Sequence, residues 1–354
     1  MFRSKNHTAA VLLATVVLSG LLADSYAAER VRPAAYISAD FCGALVIHPQ
    51  RMAKSPLLET VPLKTLPAIA AKEAPPNVDV LTLLKTVKPD KILRVIILAD
   101  PYPAGELDVL PGVIVQYTED IDGAAALAAL LKDPAAATHN GKSYLRGANT
   151  QFVAKLPLCG HVADVRTLVF GAEPTMKRML SARVGDNPLL ERMKKTTLKH
   201  DLIVEFVVSP LIKALEKKTG KTFAEVTRGN PDDPVGQMAK MITGLSLTLD
   251  LSGDTLITAN ATGANDLAAT QMEAMAKQGV EMARKQFEMF KPMIAKSAPP
   301  NLVGPINALV EQVAAGLTVS RSGRDVNVVL PMPAALLDLA RNAGKELEKA
   351  GAAP

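Results

Sequence analysis

A chain of 354 residues, 48% hydrophobic and 21% charged, holds enough apolar material for one large core or two modest ones. Aromatics make up only 4% and Trp is absent, so Ala, Leu, Val and Met must do most of the packing. The formal net charge of +5 comes from Lys and Arg scattered among Asp and Glu, without the interleaved aromatics that nucleic-acid binding requires, and no nucleic-acid partner is expected.

In chain order, the first segment is an export signal. Arg3 and Lys5 form a positive start, Ala9 to Leu22 carries no charge, and Ser25 and Ala27 place small side chains before a cleavage point after Ala27. A membrane span needs about 20 apolar residues, and this stretch is shorter. The sequence therefore predicts a signal peptide over 1–27, a periplasmic or secreted product, and no stable membrane insertion after cleavage. No second long apolar run follows.

YISADFCGALVIHP (36–49) reads as a strand leading into a Pro-initiated helical turn. Pro56, Pro62 and Pro67 break the next stretch into short helices, and a further short helix is expected within 78–87. ILRVIILADPYP and PGVIVQYT are strands. Asp120 or Asp122 fits the N-cap of the Ala-rich helix that follows, where a carboxylate accepts from unpaired amides. Asn140-Gly141 predicts a tight hairpin turn, because both residues tolerate positive φ. QFVAKLPLCGHV and ADVRTLVFGA are two more strands, and Glu173-Pro174 opens a helix.

MKKTTLKH (193–200) reads as a solvated connection between two halves, 28–195 and 196–354. HDLIVEFVVSPLIKALEKKTG is then a strand followed by a helix, with Ser209 as N-cap and Gly220 as terminator. Two segments share one plan, GLSLTLDLSGDTLITANATG and GLTVSRSGRDVNVVLPMP: alternating strand, Ser-Gly reversal, second strand, helix. They suggest an internal duplication. Between them lies the clearest helix, 266–294, with Ala268, Met272, Met275, Ala276, Ala283, Phe287 and Phe290 placed along one core-facing stripe, Gly279 weakening its middle and Pro292 stopping or kinking it. Its methionines read either as filler for an irregular core or as an adaptable partner-binding surface.

Candidate chemistry is sparse. His48, at a strand-to-helix junction, is a candidate general base with Asp40 or Glu119 as the orienting carboxylate. Cys159 and His161 share a strand face, but that spacing does not supply an oriented nucleophile and base. Glu119, Asp120 and Asp122 lack the oxygen-ligand series of a calcium loop. No metal motif, phosphate loop or dinucleotide fingerprint occurs, so neither a metal nor a cofactor is expected. Cys42 and Cys159 either form a disulfide, which the export signal permits, or remain two buried thiols.

ADFCGALVIHPQRMAKSPLLE, ADVRTLVFGAEPTMKRML and DLIVEFVVSPLIKAL together resemble uncharacterised secreted proteins of planctomycete bacteria. The resemblance implies an extracytoplasmic bacterial protein and carries no catalytic residue with it. The predicted fold class is α+β, with mainly antiparallel sheets and helices packed on one face. The predicted role is a non-catalytic binding or structural protein of the cell envelope, with a protein partner. An extracytoplasmic hydrolase built on His48 and a carrier of an apolar ligand are the rival readings.

Overall fold

The computed structural model describes residues 32–58, 88–102, 108–148, 156–183, 185–196, 199–228, 239–297 and 299–351. The predicted signal segment, the part of the Pro-broken stretch (51–70) from 59 onward and the short helix within 78–87 lie outside the described residues. The fold is α+β and its strand pairings are antiparallel, as alternation and hairpin chemistry require. Two compact units divide the chain: Met1–Ala53, Leu63–Leu198 and Ser209–Phe223 in the first, and Lys54–Pro62, Lys199–Val208 and Ala224–Pro354 in the second. One division therefore falls within MKKTTLKH, while 54–62 and 209–223 each belong to the unit opposite their sequence neighbours.

The first unit contains strands β1 (Gly43–Ile47), β2 (Ile92–Tyr102), β3 (Asp108–Tyr117), β4 (Ala135–His139), β5 (Lys142–Arg146), β6 (Leu158–Asp164) and β7 (Thr167–Ala172). Their sheet order is β1-β2-β3-β7-β6-β5-β4. Helix α1 (Pro49–Ala53) follows β1, α2 (Gly123–Leu130) follows β3, α3 (Glu173–Leu180) follows β7, and α4 (Pro188–Lys195) comes next. Local chemistry sets these boundaries. Asp122 Oδ1 accepts from the Ala125 amide at 2.9 Å and caps α2, while Asp120 instead accepts from Arg166 Nε at 2.6 Å. Asn140 and Gly141 take φ of 50° and 73°, the left-handed pair that a two-residue hairpin turn needs.

Helices cover both faces of this sheet, where a single covered face was expected. Alternation along β3 and β7 explains why. Val113 and Leu168 pack with Ala126 of α2, whereas a Cβ on the adjacent Gly112 would meet Met179 of α3. The α2 side is closed by Ile92, Val95, Val115 and Tyr117, all fully buried or nearly so.

The second unit contains β8 (Leu202–Val207), β9 (Ile242–Leu249), β10 (Thr255–Gly263), β11 (Thr318–Ser322) and β12 (Asp325–Pro331), in the order β11-β12-β10-β9-β8. Both repeated segments form hairpins, β9–β10 and β11–β12, and each is followed by a helix. Helix α5 (Val208–Thr219) begins one residue before its predicted cap Ser209 and ends at Gly220, which has φ +65°. Short helix α6 (Phe223–Arg228) follows. The remaining helices are α7 (Asp266–Ser297), α8 (Pro300–Gly316) and α9 (Ala334–Gly351). Helix α7 runs on through Gly279 and Pro292. A proline near the end removes one ladder bond, and Lys291, pairing with Glu311 of α8 at 3.1 Å, holds the last turns in place.

Gly263 joins the sheet to α7 at a close backbone approach. A Cβ there would stand 2.9 Å from the Ala269 amide nitrogen, a group that cannot give way. Gly263→Ala is expected to lower unfolding free energy by about 1–3 kcal/mol, the usual cost of overpacking. Gly279→Ala, in open space on the same helix, is expected to raise it by about 1 kcal/mol. Urea titration of the two variants beside the parent measures both signs.

Candidate functional site

The carboxylates and the imidazole proposed for hydrolysis do not come together. Asp40 precedes β1 and His48 follows it, so they stand at opposite ends of the strand. Glu119 lies near Lys88 at 3.4 Å and Lys91 at 3.8 Å, an ordinary exposed ion-pair group. His48 is buried, and its carbonyl accepts from the Arg51 and Met52 amides at 3.1 Å each, which starts α1.

Both cysteines are free and buried. Cys42 directly precedes β1 and Cys159 lies on β6, four strand positions away in the sheet, about 19 Å at the normal strand spacing and well beyond disulfide reach. Burial pushes the Cys42 thiol up to about 11 and the Cys159 thiol up to about 12, so neither supplies a thiolate at neutral pH. Cys159 points weakly at the Pro157 carbonyl, 3.9 Å away. His161 is engaged elsewhere, by the Ser143 carbonyl at 2.6 Å and the Tyr36 hydroxyl at 3.2 Å. Burial holds its pKa below the usual imidazole value. Among the described residues no three His, Cys, Asp or Glu side chains cluster as metal ligands.

Three polar clusters escaped sequence reading because their members are far apart in the chain. Asp100, fully buried on β2, accepts from Thr175 Oγ1 at 2.9 Å and pairs with Arg178 Nη1 from α3. Glu173 pairs with Lys177 at 2.9 Å and Arg146 at 2.9 Å and accepts from the Tyr144 hydroxyl at 3.3 Å. The Lys177 hydrogen bond, chiefly, holds its carboxyl below the ordinary range. His139 Nε2 and Asn140 Nδ2 both lie 2.8 Å from Ser181 Oγ, which in turn donates to the Lys177 carbonyl. That hydroxyl has given its proton to a backbone acceptor, so the group fastens the β4–β5 turn to α3 rather than forming a nucleophile and base.

Among the described residues, helix α7 carries the largest group of exposed apolar side chains. Its inner side buries Ala268, Ala269 and Met272. Met275, Met282 and Met289, spaced seven apart, are 59%, 54% and 67% exposed, and Leu267, Phe290 and Met293 extend the same apolar surface. The one-stripe reading of this helix is thus corrected: Met272 is core, while Met275 and Phe290 face outward.

Polar contacts fix the rotation that produces this result. Glu273 meets Arg321 of β11 at 3.0 Å, and Lys291 reaches Glu311 of α8. Arg284 donates to the carbonyls of Ala314 at 2.7 Å and Leu317 at 3.0 Å, where α8 leaves unpaired acceptors and the negative end of its dipole. At about 100° per residue, Glu273, Arg284 and Lys291 fall on one line of the helix, and the three methionines lie about half a turn away. The tethers and the apolar line occupy opposite sides. Beside the start of α7, Asp266, Leu267, Thr270, Arg321 and Gly323 line an open depression of about 470 Å³. Its charged rim does not suit an enclosed apolar ligand.

No family model matches the chain, and no curated protein sequence matches it. Among solved structures, crystal form I of TP0453 aligns with 89% of this chain and 98% of that chain, at 10% identity and a TM-score of 0.39. Among the described residues, no helix is long and apolar enough to cross a membrane.

Proposed function

We propose that this chain is a non-catalytic binding protein of the extracytoplasmic space, and that the methionine line of α7 receives the apolar face of a helical partner segment. The observation that carries the reading is the exposure of Met275, Met282 and Met289 along one side of a helix tethered by its other side. A seven-residue repeat matches the period at which a second helix presents its own apolar groups, and Met side chains adapt to partners of varied shape. The N-terminal signal pattern and the resemblance to secreted planctomycete proteins support the extracytoplasmic placement and a bacterial envelope origin. The separation of His48 from Asp40, and the pairing of Glu119 with lysines, weigh against the hydrolase alternative.

The test is binding of a synthetic amphipathic helical peptide with a leucine face, followed by fluorescence anisotropy. Covering three half-exposed methionines contributes about 1 kcal/mol each, so the triple variant Met275→Gln, Met282→Gln, Met289→Gln should bind about a hundredfold more weakly. Its unfolding midpoint should stay within about 0.5 kcal/mol of the parent, because these side chains are not core. Equal binding by parent and variant, or no binding by either, overturns the proposal.

A further inference from the structure

We infer that Tyr36 and His161 form an acid-released latch, which holds the turn Pro33–Tyr36 on the sheet of the first unit and frees it when the imidazole takes up a proton. The α7 surface plays no part in it. Pro33–Tyr36 is a single 3-10 turn with no side-chain cap at its start, and so short an element needs outside contacts to stay in place. Tyr36 supplies them, and only 6% of it is exposed. Its hydroxyl lies 3.2 Å from His161 Nε2 on β6, the two rings stand 5.7 Å apart at 54°, and Lys142 Nζ of β5 sits 5.2 Å from the phenol centroid. Beyond the turn the chain is fixed separately. Asn187 Nδ2 donates to the Ile37 carbonyl at 2.8 Å, and the Ile37 and Phe41 side chains are buried. Release therefore ends at Ile37.

The geometry sets where the protons lie. His161 Nδ1 is 2.6 Å from the Ser143 carbonyl, which can only accept, so Nδ1 carries the ring proton of the neutral form. Nε2 is then the acceptor, and the Tyr36 O–H donates to it. Burial, with Asp164 at the end of β6 adding to it, raises the phenol pKa, so this donor keeps its proton. A second ring proton turns Nε2 into a donor facing a donor and sets an imidazolium beside Lys142. The other charged groups on the neighbouring elements are committed. Glu173 of α3, which touches the turn, pairs with Lys177 and with Arg146 of β5 and accepts from Tyr144, while Arg178 pairs with Asp100. The β7 residue registered opposite His161 is the uncharged Val169. Burial lowers the His161 pKa and Lys142 lowers it further, with the Ser143 carbonyl opposing. A histidine lowered on folding contributes stability that is complete above its unfolded value and is lost as pH drops through that value towards the folded one. The latch is closed at neutral pH and opens in acid.

The experiment follows the full chain by NMR from about pH 8 down through the His161 midpoint, reading the His161 ring and amide exchange corrected for its intrinsic dependence on pH. The reporters are the Ala35 and Ile37 amides, which donate to the Arg32 and Ala34 carbonyls at 2.9 and 3.3 Å. His161 should titrate below the ordinary imidazole value. Protection of both amides should fall at least about tenfold through that midpoint while amides of β3 and β7 keep theirs. Tyr36→Phe keeps the ring and removes the donor, so it should show the low protection already at neutral pH, with the His161 midpoint moved up. His161→Gln has a donor and an acceptor at every pH and should keep the turn protected throughout. Unchanged protection of Ala35 and Ile37 through the His161 midpoint of the parent overturns the latch, as does a His161 that titrates at or above the ordinary value. A His161→Gln variant that loses protection over the same range as the parent also overturns it, since another group is then responsible. If either variant fails to fold, the parent titration decides alone.

Discussion

Replacing Arg178 with Met should cost this protein about 3–5 kcal/mol of stability, among the largest effects of any single substitution on an ion pair. Asp100 has no solvent exposure, and its partners are Thr175 Oγ1 and the Arg178 guanidinium, which itself stays a quarter exposed. Removing the guanidinium leaves a buried carboxylate with one hydroxyl to offset its desolvation. The partial exposure of Arg178 places the loss toward the lower end of that range. Asp100→Asn in the Arg178→Met background should recover most of it, because the uncompensated charge then disappears. Urea denaturation of the parent, both single variants and the double variant gives the coupling directly, and additive losses would show that the pair is incidental.

The same pair sets a pH dependence whose direction is fixed. Burial raises the Asp100 carboxyl above its ordinary range, with Arg178 and then Thr175 opposing the shift. A carboxyl raised on folding binds its proton more tightly when folded. Its contribution to stability is therefore fully present below the unfolded value and declines as pH rises through the folded value. Arg178→Met removes the main opposing charge, so the decline should move to higher pH and deepen. The variant should be closest to the parent in mild acid, and unfolding titrations across the acidic to neutral range would display the convergence. A constant gap across that range would exclude Asp100 as its source.

Leu168→Ala is expected to cost about 3 kcal/mol, within the range for emptying a buried leucine site. Leu168 is fully buried on β7 among Ile92, Val113, Val115 and Ala126, and its Cδ2 would lie 3.1 Å from a Cβ built on Gly123. Strands on one side and the start of α2 on the other frame the position, so the surroundings have little freedom to collapse into the space. Leu267→Ala, at a side chain 69% exposed, should change stability by less than about 0.5 kcal/mol. Thermal unfolding of the two variants compares a core leucine with one belonging to the exposed apolar surface. A loss at Leu267 approaching that at Leu168 would mean that this surface is packed in the folded protein, against the geometry described.

The sequence made local features legible and long-range ones obscure. The Asn140-Gly141 turn and the cap of α2 depend on atoms within a few residues, so residue type placed the turn and narrowed the cap to Asp120 or Asp122, of which the structure selects Asp122. The two hairpins of the second unit were visible for the same reason, as alternation broken by Ser-Gly. The phase of α7 was not. Apolar residues occur on more than one side of that helix, and which side meets the sheet is decided by Arg321, Ala314 and Leu317, residues 30 to 48 positions away from their partners on α7. No window of local periodicity contains them. Asp100 and Arg178 are likewise 78 residues apart, one inside β2 and the other in the last turn of α3, and nothing local to either points to the other. His48 drew attention because a histidine at such a junction is locally conspicuous. The sheet then separates it from Asp40 by the length of β1.

The outer strands bear on how the protein behaves when concentrated. β11 and β4 each end a row of paired strands, and each offers only five residues, with sequences TVSRS and AAATH that are polar or small. Arg321 crosses from β11 to Glu273, and His139 at the end of β4 is held by Ser181. Short borders carrying a tied cation or imidazole make poor templates for another chain's backbone, so crowding should not drive strand-by-strand polymerisation even though one helix displays a hydrophobic line to water.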